Sequence, residues 1–580
     1  MNATTQGSGA GLAQGGKRDA ATLRWISAVA GRDIRAVWAM LAASVGQSLL
    51  GLAVAWMFGV VVDHAVAHQE NAFWQAIVAL AVLAAVQIAL ASCVRWLGEW
   101  SRSLLENRFR ERVFDAACHS DLERVASLHS GEWTMRMSSD VRVVAEGVTG
   151  IVPGVAGMSV RMVGAIVMLI AIIPESAPFL LGGGVLLGIL ATLFRGRMKG
   201  LHRRQQEAGG LVRSYTLECL QGLLVVHSFV KELLVGQRAE GLMRQHREAR
   251  LRRTVFSNLC NTGFAAAMDG AYVLGVCYCG WRLMQGTMSY GTLTVVIQLV
   301  AQVQGPFANL SGYLPRYYSM VASAERLMEL DAWPRMFSPA VLPAAEVRET
   351  YKKRLGSLRL SGLTFSYPSR SGNSETAGIP EVLSFPAMEL HRGEALALTG
   401  RSGCGKSTLL KLLMGVYQPA SGSRELVLDE GRRIPYGAEW RGLFAYVPQD
   451  DVLMSGTVRD VVSFGDDKSE ANDLRIWDAL RVACAWDFVR GLPHGLDTEL
   501  GERGGGLSGG QAQRIAIARA VYSGHPVIVL DEATSALDQR TESQVLKNLR
   551  GLGDRTLVMV THRPQAMAAC DRRIDLGGWE

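Results

Sequence analysis

Gly400-Arg401-Ser402-Gly403-Cys404-Gly405-Lys406-Ser407-Thr408 follows the apolar run Ala395 to Leu398 and fills every fixed position of the pattern G-x-x-x-x-G-K-[ST]. The order is strand, glycine loop, helix. Glycines at 400, 403 and 405 let backbone N–H groups close around the phosphates of a nucleotide, Lys406 reaches the outer phosphates, and the Ser407 hydroxyl is a ligand for Mg²⁺. Arg401, Ser402, Cys404 and Thr408 complete the stretch, and the helix that opens there points its positive end at the anion.

Around this loop, strands and helices alternate from 358 onward, which implies an α/β domain with a largely parallel sheet. Upstream lies Phe365-Ser366-Tyr367-Pro368, then an insert, Ser369 to Pro380, that reads as a solvated loop. Downstream come YVPQD with Gln449, TELGERG at Thr498 to Gly504, and LSGGQ at Leu507 to Gln511 running on as AQRIAIARA. Next are the apolar strand Pro526 to Leu530 ending in Asp531-Glu532, then SALD at Ser535 to Asp538, and His562 after the strand Thr556 to Thr561. In LSGGQ, a serine hydroxyl and glycine N–H groups at a helix start make an anion site free to approach a γ-phosphate. A pentamer or a lone histidine carries little weight alone; their order carries much.

In that order the motifs resemble the nucleotide-binding domain of ABC transporters. The resemblance implies ATP and Mg²⁺ as cofactors, with Gly400 to Thr408 holding the phosphates and Tyr367 stacking on adenine. It implies Ser407, Gln449 and Asp531 as the Mg²⁺ set, and Glu532, His562 and Gln449 as the catalytic set. Glu532 polarises the attacking water and His562 contacts the γ-phosphate, since phosphoryl transfer needs positioned charge more than covalent help. It also implies that Ser508, Gly509, Gly510, Gln511 and Asp538 of one chain face the phosphate loop of another. TELGERG is similar to the segment that marks exporters within the family. Family members continue past the histidine through a further strand and terminal helices; this sequence reaches Glu580 soon after Arg572-Arg573-Ile574, so the core chemistry is expected to be kept and the family's C-terminal dimer contacts and regulation are not carried over.

Length and composition set the rest. At 580 residues two domains are expected, and 49% apolar content with charge gathered in blocks is that of a membrane protein with an attached soluble part. A net charge of +7 is small for this length and fits arginines flanking a membrane, so no nucleic-acid partner is expected. Nine scattered cysteines without paired spacing support neither a disulfide framework nor a zinc site. Met1 to Gly16 reads as a disordered tail rather than a signal peptide.

Six stretches suit membrane helices, each needing roughly 20 residues: Val37 to Val62, Ala72 to Val94, Gly147 to Ile173, Pro178 to Phe194, Thr254 to Trp281 and Met288 to Leu314. Arginines crowd the links between the second and third and between the fourth and fifth, whereas 63–71 and 174–177 hold no Lys or Arg. Both long links, both termini and the nucleotide domain are therefore expected in the cytoplasm of a cell-membrane protein. The long links read as helices projecting beyond the bilayer. SGEWTMRMSSDV, ECLQGLLVVHSFVKE and ASAERLMEL resemble the membrane domain of ABC exporters of type IV, which implies short coupling helices near Leu122 to Leu128 and Val212 to Leu220.

Within the spans the polar residues are informative. Gln298, Gln302 and Asn309 share one helical face near Pro306, and Ser44, Gln47 and Ser48 form a second stripe. Both read as cavity lining, with polar glue between helices as the alternative. Arg161 and Asp269 are the charges inside the third and fifth spans, expected to pair or to meet a charged group of a cargo. Gly182, Gly183, Gly184 and Gly188 read as close helix packing.

The expected fold is a membrane all-α six-helix domain followed by an α/β P-loop ABC nucleotide-binding domain. Its parts are a disordered cytoplasmic segment 1–34, the six-helix domain 35–330, a linker 331–357 and the nucleotide domain 358–580. The resemblance implies a half-transporter working as a homodimer, or as a heterodimer with a second gene product, and exporting a small or amphiphilic molecule. An importer on the same fold and an ATP-gated regulator or channel are the alternatives.

Overall fold

The computed structural model describes residues 7–128, 130–335, 342–367, 382–401, 403–449, 453–466, 469–501 and 504–577. Contacts divide the chain into two units, Met1–Val113 with Thr134–Glu329 and Phe114–Trp133 with Leu330–Glu580.

The apolar runs form helices far longer than a bilayer is thick. In order these are α1 (Gly7–Ala30), α2 (Ile34–Val66), α3 (Glu70–His119), α4 (Leu122–Ser127), α5 (Ser130–Thr134), a π-helical turn (Met135–Asp140), α6 (Val141–Ile172), α7 (Ala177–Gln221), α8 (Leu223–Ser228), α9 (Glu232–Met284) and α10 (Tyr290–Asp331). All six expected spans fall in long helices, and the stretches Asp19–Val66, Glu70–His119 and Gly131–Ile172 are long and apolar enough to cross a membrane. With 50 residues in α3 and 53 in α9, at about 1.5 Å per residue, each outruns a hydrocarbon core of about 30 Å more than twofold. The projecting helices expected from the sequence are therefore present.

In the first unit, Leu52 of α2, Ala165 and Leu169 of α6, and Val295, Leu299 and Val303 of α10 form a shared apolar core. The close approach lies at Gly59 and Gly291: a Cβ on Gly291 would collide with the Gly59 carbonyl oxygen. Asp63 fixes this contact, accepting from the Gly291 N–H at 2.7 Å and the Ser289 hydroxyl at 2.8 Å. Gly182, expected to serve close packing, has open space around it, and the side-chain positions at 183, 184 and 188 lie outside the described residues.

Two expectations are corrected. The tail expected to be disordered enters α1 at Gly7: Ile26 and Ala30 are buried, Trp25 packs on Phe109, and extending a nucleated helix costs far less than starting one. The second short helix is α8, at Leu223–Ser228, whereas 212–220 continues α7; Gly222 is the break between them. The first falls where expected, as α4.

The second unit adds α11 (Ala344–Lys353), β1 (Leu355–Ser366), β2 (Val382–Ser384), β3 (Met388–His391), β4 (Ala395–Thr399), α12 (Lys406–Leu413), β5 (Ser421–Leu428), β6 (Arg433–Pro435), β7 (Phe444–Val447), β8 (Gly456–Thr457), α13 (Val458–Ser463), α14 (Glu470–Val482), α15 (Trp486–Arg490), β9 (Glu499–Leu500), α16 (Gly509–Tyr522), β10 (Val527–Asp531), α17 (Gln539–Arg550), β11 (Thr556–Val560), α18 (Pro564–Ala568) and β12 (Arg572–Asp575). The order β12-β4-β11-β10-β7 is wholly parallel, and β2, β1, β5, β6 and β3 form an antiparallel sheet. Strands β4, β10 and β11 are buried at every position, as expected of a parallel sheet covered on both faces. Alternate residues serve alternate cores: Leu396, Leu398, Val527 and Val529 meet α12, while Ile528, Leu530, Leu557 and Met559 meet α14 and α16.

Within 331–357, expected to be a linker, α11 buries Val347 and Tyr351 in this core, and the Tyr351 hydroxyl bonds Thr556 at 2.8 Å. Residues 336–341 of that stretch lie outside the described residues, as does the insert 369–380. The strand implied to follow the histidine is present as β12, paired with β4. The first short helix, α4, belongs to this unit, where Glu123 accepts a hydrogen bond from the Gln418 backbone and burial raises its carboxyl above the usual range.

A buried histidine sets a pH dependence. His525 Nδ1 bonds the Phe444 carbonyl at 2.7 Å. Burial holds its imidazole below the ordinary 6.5, helped by Arg348 and Arg555 and opposed by that bond. A depressed folded value favours the neutral ring, so its contribution is complete above the ordinary value and is lost as pH falls from there through the lower folded value. Thermal unfolding of His525→Gln is expected to show a flatter acid limb than wild type as pH falls below the ordinary 6.5; parallel limbs would remove His525 from that role.

Candidate functional site

The phosphate loop leaves the C-terminal end of β4 and returns as α12. Gly400, Gly403 and Gly405 have φ of +148°, +86° and +90°, values that L side chains rarely adopt. Lys406 is buried, and its Nζ donates to the carbonyl oxygens of Gly400 at 2.8 Å and Arg401 at 2.9 Å. The ammonium is thus held over the loop. Ser402 lies outside the described residues. The hydroxyls of Thr408 and Tyr367 bond at 2.8 Å, and the Tyr367 ring stands edge-on to Phe365 and Tyr417 with half its surface exposed. That leaves an aromatic face beside the loop.

Cys404 is half-buried, and a Cβ on Gly400 would come within 2.8 Å of its Sγ. Its sulfur is thus crowded on the Gly400 side, and a maleimide adduct there sits on the phosphate loop. Alkylation is expected to remove most ATPase activity, ATP is expected to protect, and Cys404→Ser is expected to be insensitive. Labelling of Cys404 without loss of activity would contradict this.

At the end of β10 the chain turns sharply. Asp531 is 2% exposed, and its Oδ2 accepts from the Tyr446 hydroxyl at 3.0 Å. Glu532 has φ +52°, a left-handed conformation costing a non-glycine residue on the order of 1–3 kcal/mol. Its N–H bonds the Val560 carbonyl at 3.1 Å, the Gln449 amide donates to its carboxylate at 3.1 Å, and His562 Nε2 stands 3.8 Å away. The structure thus gathers Gln449, Glu532 and His562 around one carboxylate. Sequence reasoning quoted Tyr446 only as the first letter of YVPQD and gave it no role: the register Val529↔Tyr446 in the folded sheet sets it beside Asp531.

The signature forms a second cleft. Ser508 caps α16 in a reciprocal pair with Gln511: the Ser508 N–H donates to Gln511 Oε1 at 2.9 Å, and the Gln511 N–H donates to the Ser508 hydroxyl at 3.3 Å. Asp538 caps α17 through the Thr541 N–H at 3.0 Å, which lowers its carboxyl below the usual range. Ser508, Gly509, Gly510, Asp538 and Thr541 line a cavity of about 450 Å³ with Arg514, Ala536 and Leu537. A Cβ on Gly510 would come within 2.9 Å of the Ala536 carbonyl, so the helix start and the SALD turn fit only with glycine there.

In the first unit, Ser44, Gln47, Ser48, Arg161 and Gln302 line one cavity of about 430 Å³ with Gly154, Gly157 and Tyr313. Ser48 also acts as glue, its hydroxyl bonding the Gly157 carbonyl at 2.8 Å. Gln298 is part-buried on α10 and is not among the lining residues; Asp269 is exposed on α9. No ion pair joins Asp269 to Arg161 among the described residues, and the Asn309 side chain lies outside them.

Two family models match the chain in tandem, the ABC transporter transmembrane region over residues 37–307 and the ABC transporter domain over 384–535. The chain belongs to the ABC transporter family. It carries the transmembrane region and the ATP-binding domain of that family fused in one chain. It is 28% identical over 542 residues, 92% of its length, to ABC transporter B family member 1 of Dictyostelium discoideum, and 30% identical over 488 residues, 81% of its length, to ABC multidrug transporter mdr2 of Aspergillus fumigatus. It spans 57% and 58% of the lengths of these two relatives. Its fold is similar to that of a bacterial Atm1-family ABC exporter solved with ATP bound, with TM-score 0.73, 22% identity and coverage of 93% of this chain and 94% of that one.

Proposed function

We propose that two copies of this chain form a membrane pump in which ATP closes a pair of shared nucleotide sites and hydrolysis reopens them, exporting a small or amphiphilic molecule. The observation that carries this reading is the separation of two phosphate-binding features in one chain. The cavity at Ser508, Gly509, Gly510 and Asp538 draws its lining from the signature and the SALD turn, and the phosphate loop lies at the end of β4. A second copy supplies what each lacks, with Gln511 ordering the signature.

Each chain's residues then have distinct work. Tyr367 offers the adenine platform, and the N–H groups of residues 400–408 with Lys406 hold the phosphates. Ser407, Gln449 and the buried Asp531 are oxygen donors of the kind Mg²⁺ takes, and no lysine or arginine pairs with Asp531 among the described residues. Mg²⁺, when bound, neutralises phosphate charge. Glu532 polarises the attacking water, Gln449 orients that carboxylate, and His562 contacts the γ-phosphate. ATP favours the closed pair, so its binding shifts the membrane cavity between its two accessible states.

The exposed apolar residues of α8 and the following turn, Leu224, Val225, Phe229 and Val230, support a partner surface for a second copy. A second gene product in that place would make a heterodimer. The arginine-rich helical extensions support a cytoplasmic nucleotide domain and termini. ATPase activity of the full chain in lipid, tested against lipids, drugs, peptides and metal chelates with Glu532→Gln as the blank, is expected to rise with one class. Uptake into inverted vesicles reads export; loss from them reads import.

A further inference from the structure

Resting on the pump reading, we infer that the cavity between α2, α6 and α10 selects a cargo bearing an anionic group next to an N–H or O–H donor. The cavity measures about 430 Å³, the size of a small-molecule site, and among the described residues Arg161 is its one formal charge. Among the described residues no carboxylate lines it. Arg161 Nε is buried and makes no hydrogen bond among the described residues. Arg161 is part-exposed to the cavity; a guanidinium within a membrane span is costly until an anion meets it, and its fork suits carboxylate, sulfonate or phosphate.

Gln302 adds the second requirement. Its amide N–H donates to the Gly51 carbonyl at 3.2 Å, which fixes the amide orientation and leaves Oε1 an acceptor. That oxygen is buried without a donor among the described residues. The Ser48 hydroxyl hydrogen is already given to the Gly157 and Ser44 carbonyls at 2.8 and 2.9 Å, so it does not meet the Gln302 acceptor. An unmet cation and an unmet acceptor in one chamber match a molecule such as an N-acylated or N-sulfonylated amino acid, whose carboxylate and N–H are close together.

The test uses dansylglycine, its methyl ester and dansyl-ethylenediamine, which keep the sulfonamide N–H and change the charge. Binding is read by dansyl fluorescence on the full chain in phosphatidylcholine nanodiscs, with ATP binding as the check on folding. Dansylglycine is expected to bind about tenfold or more tightly than the other two, Arg161→Gln to erase that margin and Arg161→Lys to keep part of it. Adding phosphatidylglycerol separates two sources of the anion: competition assigns the site to a lipid headgroup, and unchanged binding assigns it to a soluble anion. Equal binding of the three probes, no binding of dansylglycine, or the same preference in Arg161→Gln would overturn the inference. So would rescue of Arg161→Asp by Asp269→Arg, which would make Arg161 half of an ion pair between copies. Failure of the pump reading is distinct, since it appears as absent ATPase in wild type whatever the probes do.

Discussion

Replacing Glu532 by Gln is expected to cut ATP turnover about 10²–10⁴-fold while ATP still binds, leaving a closed ATP-filled dimer. The geometry makes this substitution clean. Gln449 donates to Glu532 Oε2 at 3.1 Å, and a glutamine carbonyl oxygen accepts the same bond. The backbone at φ +52° is held by the Glu532 N–H bond to Val560 and is indifferent to the side-chain charge. What is lost is the basicity that polarises water; Asp531, bonded to Tyr446, is untouched. Phosphate release and the ATP-dependent dimer fraction measure the two consequences, and wild-type turnover would remove Glu532 from the catalytic role.

Arg326→Ala is expected to cost about 2–4 kcal/mol of stability, the largest effect expected of a residue outside the nucleotide site. Asp140, 2% exposed at the end of the π-helical turn, accepts from Arg326 Nε at 2.8 Å and from the Ser323 hydroxyl at 2.9 Å. Removing the guanidinium leaves a buried carboxylate with one neutral donor. The expectation sits below the full cost of an isolated buried charge because the Arg326 side chain is 40% exposed, so water can replace part of it. Asp140→Asn in the Arg326→Ala background should recover much of the loss, since an amide needs no counter-charge. Thermal unfolding of the four proteins measures this, and additive losses would contradict it.

The nucleotide domain was legible because its chemistry is local. The strand, loop and helix around 400–408, the helix start at Ser508, and Asp531-Glu532 at a strand end each depend on neighbours in sequence, and among the described residues those elements lie where the sequence expects them. Long apolar runs likewise located the helices. What stayed hidden depends on partners distant in the chain. Gly59 and Gly291 meet 232 residues apart in number, while the conspicuous glycine run at 182–184 gave a false lead at Gly182. Helix α8 lies after Gly222, where α7 ends, and the amphipathic pattern over 212–220 simply continues α7. Of the polar face on α10, Gln302 reaches the cavity and Gln298 does not line it; spacing alone does not say which neighbour covers each residue.

Co-expression of Lys406→Ala with Ser508→Arg tests the shared-site account most directly, with ATPase measured on full chains in lipid. Each variant alone is expected to be inactive, one lacking the phosphate lysine and the other the signature serine. In a mixed pair one site combines both lesions and the other has neither. Activity of about a quarter of wild type is expected, because random pairing makes half of the dimers mixed and each keeps one intact site. No recovery, from protein in which both chains are shown to pair and to fold, would contradict a site built from two copies.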